Sequence, residues 1–179
     1  SALNTTSVVI LSSAQIISLS TYQISSVLIT SQVVAIETAD ISVLSTAQIV
    51  ALTTTQISSV ITSAQVSAIS TLDVVALMTR QIASLSTYQV SSVLTSTQVV
   101  AIETADIVAL VTSQIVSLTT YQISSVLSTA QIVAIETVDF DVLTTAQIIS
   151  LITYQVSVLS NAQVVAISTQ NISKLETSQ

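Results

Sequence analysis

QIVALTTTQISSVITSAQVSAISTLDVVALMTR, residues 48–80, decides the fold. Its polar landmarks are Gln48, Gln56, Gln65 and Asp73, followed by Gln81, so the spacings run eight, nine, eight and eight. Outward from this stretch the same order recurs, from Gln15, Gln23, Gln32 and Asp40 to Gln147, Gln155, Gln163 and Asn171. Four units thus make one coil, the length from Gln48 to Gln81, and a period of that size is the mark of a repeat architecture. The chain reads as one solenoid over residues 1–179, with coils at 15–47, 48–80, 81–113, 114–146 and 147–178 and no linker. The last coil is one residue short, because QVSVL at 155–159 stands where QISSVL stands at 122–127.

Within a unit the residue after the landmark is Ile or Val, with Phe140 the exception, and the fourth residue after it is nearly always Leu, Ile or Val. At 100° per residue these two slots share one helical face, and the residue just before the landmark points away from them. That outward slot carries Tyr22, Arg80, Tyr88, Tyr121 and Tyr154. A strand would split the apolar pair across two faces and turn Arg80 inward. The pattern therefore predicts an all-α repeat solenoid of short capped helices, four units of eight or nine residues per coil. Ser, Thr or Asn always stands two positions before the landmark, where it is expected to cap a helix starting one residue later. Helices this short do not persist alone, so stacking on equivalent helices one coil away must hold them. Because Ser, Thr, Val and Ile favour strands, a four-sided β-solenoid with Gln ladders is the alternative.

Composition fits a core-forming repeat and excludes several function classes. The chain is 50% apolar and 6% charged, with two cations, nine acids and no Gly, Pro, Cys, Trp or His. Few charges and a mean hydropathy of +0.87 argue against disorder. The longest apolar runs, such as Val74 to Met78, are far too short for a membrane span. A net charge of −7 argues against nucleic acid and anionic lipid surfaces. Without His or Cys, most general bases, metal ligands and activated nucleophiles are missing, and Asp139 with Asp141 is too slight a pair for acid–base work. The expectation is that the chain is not an enzyme.

Runs such as LSTAQIVAL at 44–52 and LSTAQIVAI at 127–135 resemble the Thr-Ala-Gln tandem repeats of very large bacterial surface or secreted proteins of adhesin-like type. The resemblance covers almost the whole chain and implies an extracellular or cell-surface setting. It brings no catalytic motif and no cofactor.

Equivalent positions form columns, and these supply the candidate sites. The fourth unit uses Asp40, Asp73, Asp106 and Asp139 where others use Gln, and Glu37, Glu103 and Glu136 lie three residues before three of them. Such Asp residues complement a helix N-terminus, and the same edge offers oxygen ligands to Ca²⁺. Tyr22, Thr55, Tyr88, Tyr121 and Tyr154 form a second column, either an interaction surface or a cover for the seam between coils. The Gln side chains are expected to form a ladder, donating to one coil and accepting from the next.

The ends fit the repeat without atypical capping coils. Ser7 takes the landmark place with Val8 and Leu11 in the apolar slots, Leu3 fills the preceding unit's last slot, and Thr177 to Gln179 begin a new coil. The functional expectation is a structural protein of an extracellular fibre or surface stalk, partnered with itself by end-to-end stacking or continuous with more repeats. The alternatives are an adhesin or ion-binding module using the Tyr column or the acidic edge, and an ice-binding hydroxyl face. A designed repeat would share this regularity.

Overall fold

The computed structural model describes residues 4–175, so the expectations for Leu3 and for Thr177 to Gln179 lie outside the described residues. Seventeen α-helices of four to six residues and four π-helical turns follow one another, and no strand occurs among the described residues. The all-α repeat is what the apolar spacing predicts, and the strand alternative falls. One coil shows the build: Thr46–Val50, the π-helical turn Gln56–Val60, Ser63–Ala68 and Thr71–Ala76.

Each helix starts one residue earlier than expected. The cap stands three positions before the landmark, as with Ser45, Thr62, Thr95 and Ser128, and the recurring Ser or Thr two positions before it is the first helical residue. The landmark fixes this frame. Gln48 Oε1 accepts from Ser45 N–H at 2.9 Å while Ser45 Oγ accepts from Gln48 N–H, a reciprocal capping box. Where the cap position is apolar the Gln still does its half, Ile29 N–H donating to Gln32 Oε1 at 2.8 Å and Met78 N–H to Gln81 Oε1 at 2.8 Å.

Helices end without glycine. Ile69 leaves Ser63–Ala68 at φ −63°, ψ 128°, and Ser70 enters the next helix at φ −68°, ψ 158°. Two extended residues therefore turn the corner, and no described residue has a positive φ. The left-handed conformation that makes Gly the usual helix terminator is not used here.

The π-helical turns explain the nine-residue unit. Leu28, Ile61, Leu94 and Leu127 N–H groups each donate to the Gln five residues earlier, at 2.8–2.9 Å. The extra residue widens one turn and lets the fifth residue join the fourth at the core: Val126 is 8% and Leu127 5% exposed, while in the first coil only Leu28 is buried, at 8% against 52% for Val27. In the short last coil the same unit is the α-helix Thr153–Ser157. Deleting Ser92, which turns QVSSVL into QVSVL, is accordingly expected to give a folded chain with a loss of about 1 kcal/mol or less in a denaturant melt. Deleting Val100 from an eight-residue unit rotates Ile102 out of the core and is expected to melt that coil first; equal effects would refute this account of the π turn.

The core is one column of Ile, Val and Leu that runs the length of the solenoid, with Ile16, Ile49, Ile115, Ile148 and Phe140 fully buried. Burying such a side chain contributes roughly 1.5–3 kcal/mol, which supplies the stability that five-residue helices lack alone. Packing departs from strict stacking in one respect. Thr104–Ala109 packs against Thr79–Ile82 and Thr129–Ala134, the third helices before and after it, and this neighbour relation recurs along the chain. The superhelix therefore closes in fewer than four helices. Each helix rests across the joint between the third and fourth helices before it, and positions one full period apart wind round the axis.

Candidate functional site

The landmark Gln residues join successive coils. Gln98 is 2% exposed, accepts from Thr95 N–H at 2.9 Å, and donates through Nε2 to the Val66 and Ile69 carbonyls at 2.8 Å each. Gln65, Gln81, Gln114, Gln131 and Gln147 repeat the arrangement at the first and third landmarks of the coils. One amide thus satisfies the free N–H of its own helix start and the free carbonyls at the end of a helix in the preceding coil, the two sets of groups that every helix leaves unmade. The expected ladder exists, but its rungs run from side chain to main chain rather than from Gln to Gln. The physical reason is that 29–32 residues separate donor and acceptor, so the amide lies over a helix end and not over the preceding Gln.

Legible in the sequence but missed was the spacing S-x-x-Q or T-x-x-Q at 12–15, 45–48, 62–65, 95–98 and 128–131, which marks Gln at the third helical position. The reach to the coil before has no local signal.

Asp breaks the scheme in the fourth unit. Asp40, Asp73, Asp106 and Asp139 are 3–6% exposed, whereas Glu37, Glu103 and Glu136 are exposed caps. The expected acidic edge is thus split between buried Asp and solvent-facing Glu, because the landmark points under its own helix start while the cap side chain leaves it. None of the three Glu caps makes a side-chain cap bond. Asp has no amide donor and is one methylene shorter than Gln. Only Asp73, headed by Ser70 instead of Glu, gains a hydroxyl, Ser70 Oγ donating to Asp73 Oδ2 at 2.7 Å. Asp139 Oδ1 is buried with no hydrogen-bond partner. Asn171, at the same place in the last coil, restores the donor, its Nδ2 reaching the Leu143 carbonyl at 3.0 Å. Among the described residues no three acidic side chains gather round one point, so the Ca²⁺ candidates Glu37, Asp40, Glu103, Asp106, Glu136 and Asp139 do not form a carboxylate cage.

Tyr22, Tyr88, Tyr121 and Tyr154 are 62–69% exposed, in the outward slot the helical reading assigns them. Rings this exposed do not seal the seam between coils. Since the superhelix closes in fewer than four helices, they trace a winding stripe rather than a straight column. Their unit carries no charged residue in any coil, and Ser58 and Ser59, Ser91 and Ser92, and Ser124 and Ser125 pair hydroxyl to hydroxyl at 3.0–3.1 Å beside it.

Grooves recur where the third unit meets the fourth. One of about 510 Å³ is lined by Val75, Val100, Glu103 and Gln131, and its equivalent one coil on, of about 440 Å³, by Val108, Val133, Glu136 and Gln163. Inside, the space enclosed by Ile57, Val66, Val74 and Ile82 is about 10 Å³, less than a water molecule needs for comfort, so the core holds no ligand chamber there. No described helix is long and apolar enough to cross a membrane.

The ALTTAQ repeat family matches residues 33–71, 66–101, 99–134 and 132–169, consecutive segments that together take in most of the chain. No curated protein and no solved structure matches it.

Proposed function

We propose, from the premise that this chain belongs to the ALTTAQ repeat family, that it is a structural solenoid serving as a stiff segment of an extracellular fibre or surface stalk. The observation that carries this reading is the joint between coils. Every coil offers Gln amide donors on one face and helix-end carbonyls on the other, so the contact is head-to-tail and does not close on itself. Such a joint is extended by any further coil, whether in the same chain or in a neighbouring copy. The landmark Gln amides from Gln48 to Gln163 are engaged in these joints and the core is filled, which favours a scaffold over a catalyst. The surface or secreted setting rests on the likeness of residues 44–52 and 127–135 to adhesin-type Thr-Ala-Gln repeats, and the uncharged stripe of exposed Tyr supports adhesion as the second reading.

Chains carrying two and four extra copies of residues 81–113 test the structural role. Helices pack about 8–10 Å apart, so small-angle scattering is expected to show the long axis growing by roughly that amount per added coil at constant cross-section. Growth in all three dimensions, or dispersed monomers alone under negative stain at every concentration, would overturn the rod and its self-assembly respectively.

A further inference from the structure

Glu37, Glu103 and Glu136 occupy cap positions without capping. At the same place in other coils Ser70 and Ser168 accept from the Asp73 and Asn171 N–H groups, whereas none of the three Glu side chains makes a cap bond. Giving up a cap costs about 0.5–2 kcal/mol, so these carboxylates do not serve their own helices. Each has a Val three residues before it, Val34, Val100 and Val133, whereas Ser67 precedes Ser70. In two of these pairs the Val and the Glu line one groove. Val75, Val100 and Glu103 line that of about 510 Å³, and Val108, Val133 and Glu136 that of about 440 Å³. The four Val side chains are 42–54% exposed, and neither Arg80 nor Lys174 lines either groove. A third hollow, of about 450 Å³, shares Thr104 with the first groove and Val133 with the second, so the three form one continuous track.

We propose that this track docks an extended basic segment of another protein, one Lys or Arg to a groove, its alkyl stem along the Val pair and its cationic head at Glu103 or Glu136. Long cationic side chains cover apolar surface with their stems while the head stays in water, which fits an aliphatic floor with a carboxylate at its rim. Charge selects this occupant. With nine acids and two cations, a second copy of the chain brings mostly like charge, as nucleic acid and anionic lipid do. The open, continuous shape suits a chain rather than a small molecule, which needs a site that encloses it. One exposed ion pair contributes at most about 1 kcal/mol, so two grooves engaged by one segment are needed for useful affinity. The joints between coils stay free, and the docking holds whether or not the solenoid builds a fibre.

Fluorescence anisotropy of the full chain with a labelled peptide carrying Lys at about every third place tests this, since a polyproline-II strand sets such residues on one face about 9 Å apart, close to the spacing of packed helices. Binding of this peptide and not of its Glu counterpart is expected. Glu103→Gln with Glu136→Gln is expected to weaken binding about tenfold, and Glu103→Gln alone about three- to fivefold. Asp141→Asn removes one exposed acid outside both grooves and is expected to leave binding unchanged. Val100→Ser with Val133→Ser is expected to weaken binding about three- to tenfold at an unchanged melting temperature, because Ser67 already holds that place in coil two. Glu103→Ser is expected to bind more weakly yet melt higher, gaining the cap that Ser70 makes. No binding at about 1 mM peptide would overturn the proposal. So would equal weakening by Glu103→Gln and Asp141→Asn, which would mean net charge alone, or unchanged binding in the Val pair. Self-association of the parent that the Val pair abolishes would give the track to a second copy and overturn it as well.

Discussion

Gln98→Leu is expected to cost about 2–5 kcal/mol, although it exchanges a polar side chain for an apolar one of similar size in a buried position. The substitution leaves the Thr95 N–H and the Ile69 carbonyl without partners, and the Val66 carbonyl with only its own helix-end bond from Ile69 N–H. Leaving the carbonyl of buried Ile69 unpaired costs roughly 1–3 kcal/mol, the part-buried Thr95 N–H adds to it, and the apolar gain of Leu offsets only part of the sum. The matching change at Gln15 isolates the joint between coils. Gln15 is exposed and accepts from Ser12 N–H at 2.9 Å, so Gln15→Leu removes a solvated cap and is expected to cost about 1 kcal/mol or less. Urea melts of both variants decide the matter. Equal losses would mean that the landmark works as a helix cap only and that the bonds to the preceding coil add nothing.

Phe140→Ala is expected to cost about 3–5 kcal/mol, the usual range for emptying a fully buried aromatic site. Phe140 is 0% exposed and stands in the slot that Ile41, Val74 and Ile107 occupy in the other coils. Phe140→Ile should therefore cost below about 1.5 kcal/mol, because the repeat already accepts Ile at that place and neighbouring side chains can close round it. Since each coil touches only its neighbours, the Ala variant is expected to loosen residues around 106–142 before the rest, visible as faster amide exchange there. An Ile variant as damaged as the Ala variant would mean that this coil is built specifically round the aromatic ring.

Helix, core and surface were legible for a common reason. Ile or Val at one slot and Leu, Ile or Val three residues later define a face whatever surrounds it, and the outward slot with Tyr88 and Arg80 follows by geometry. The cap was misplaced by one residue because Ser and Thr are abundant at both positions, as in Ser45 and Thr46. The spacing of Ser45 from Gln48, realised as a reciprocal bond, tells which of them precedes the helix. The π turn was visible as an extra residue in QISSVL, but length alone does not say whether that residue widens a helix or lengthens a link.

The candidate sites were read less fully. Glu37 and Asp40 are three residues apart and look like one acidic edge, yet burial separates them, since the cap side chain leaves the helix end and the third residue's side chain folds beneath it. The Tyr residues are exposed as read, but their alignment into a straight column was an inference from equal spacing.

By itself the sequence determined an all-α solenoid with a four-unit period, a continuous Ile, Val and Leu core, and turns made without glycine. Those are consequences of local spacing, and a helix of about one and a half turns reads its own sequence. Tertiary structure decided that helices rest on the third helix before them, that equivalent positions wind round the axis, and that each Gln amide closes the helix ends of two coils while Asp leaves one open. How many helices close one turn depends on the angle at each two-residue corner and on the fit of side chains across coils. That is a property of the packed chain, which the order of its residues along one coil does not state.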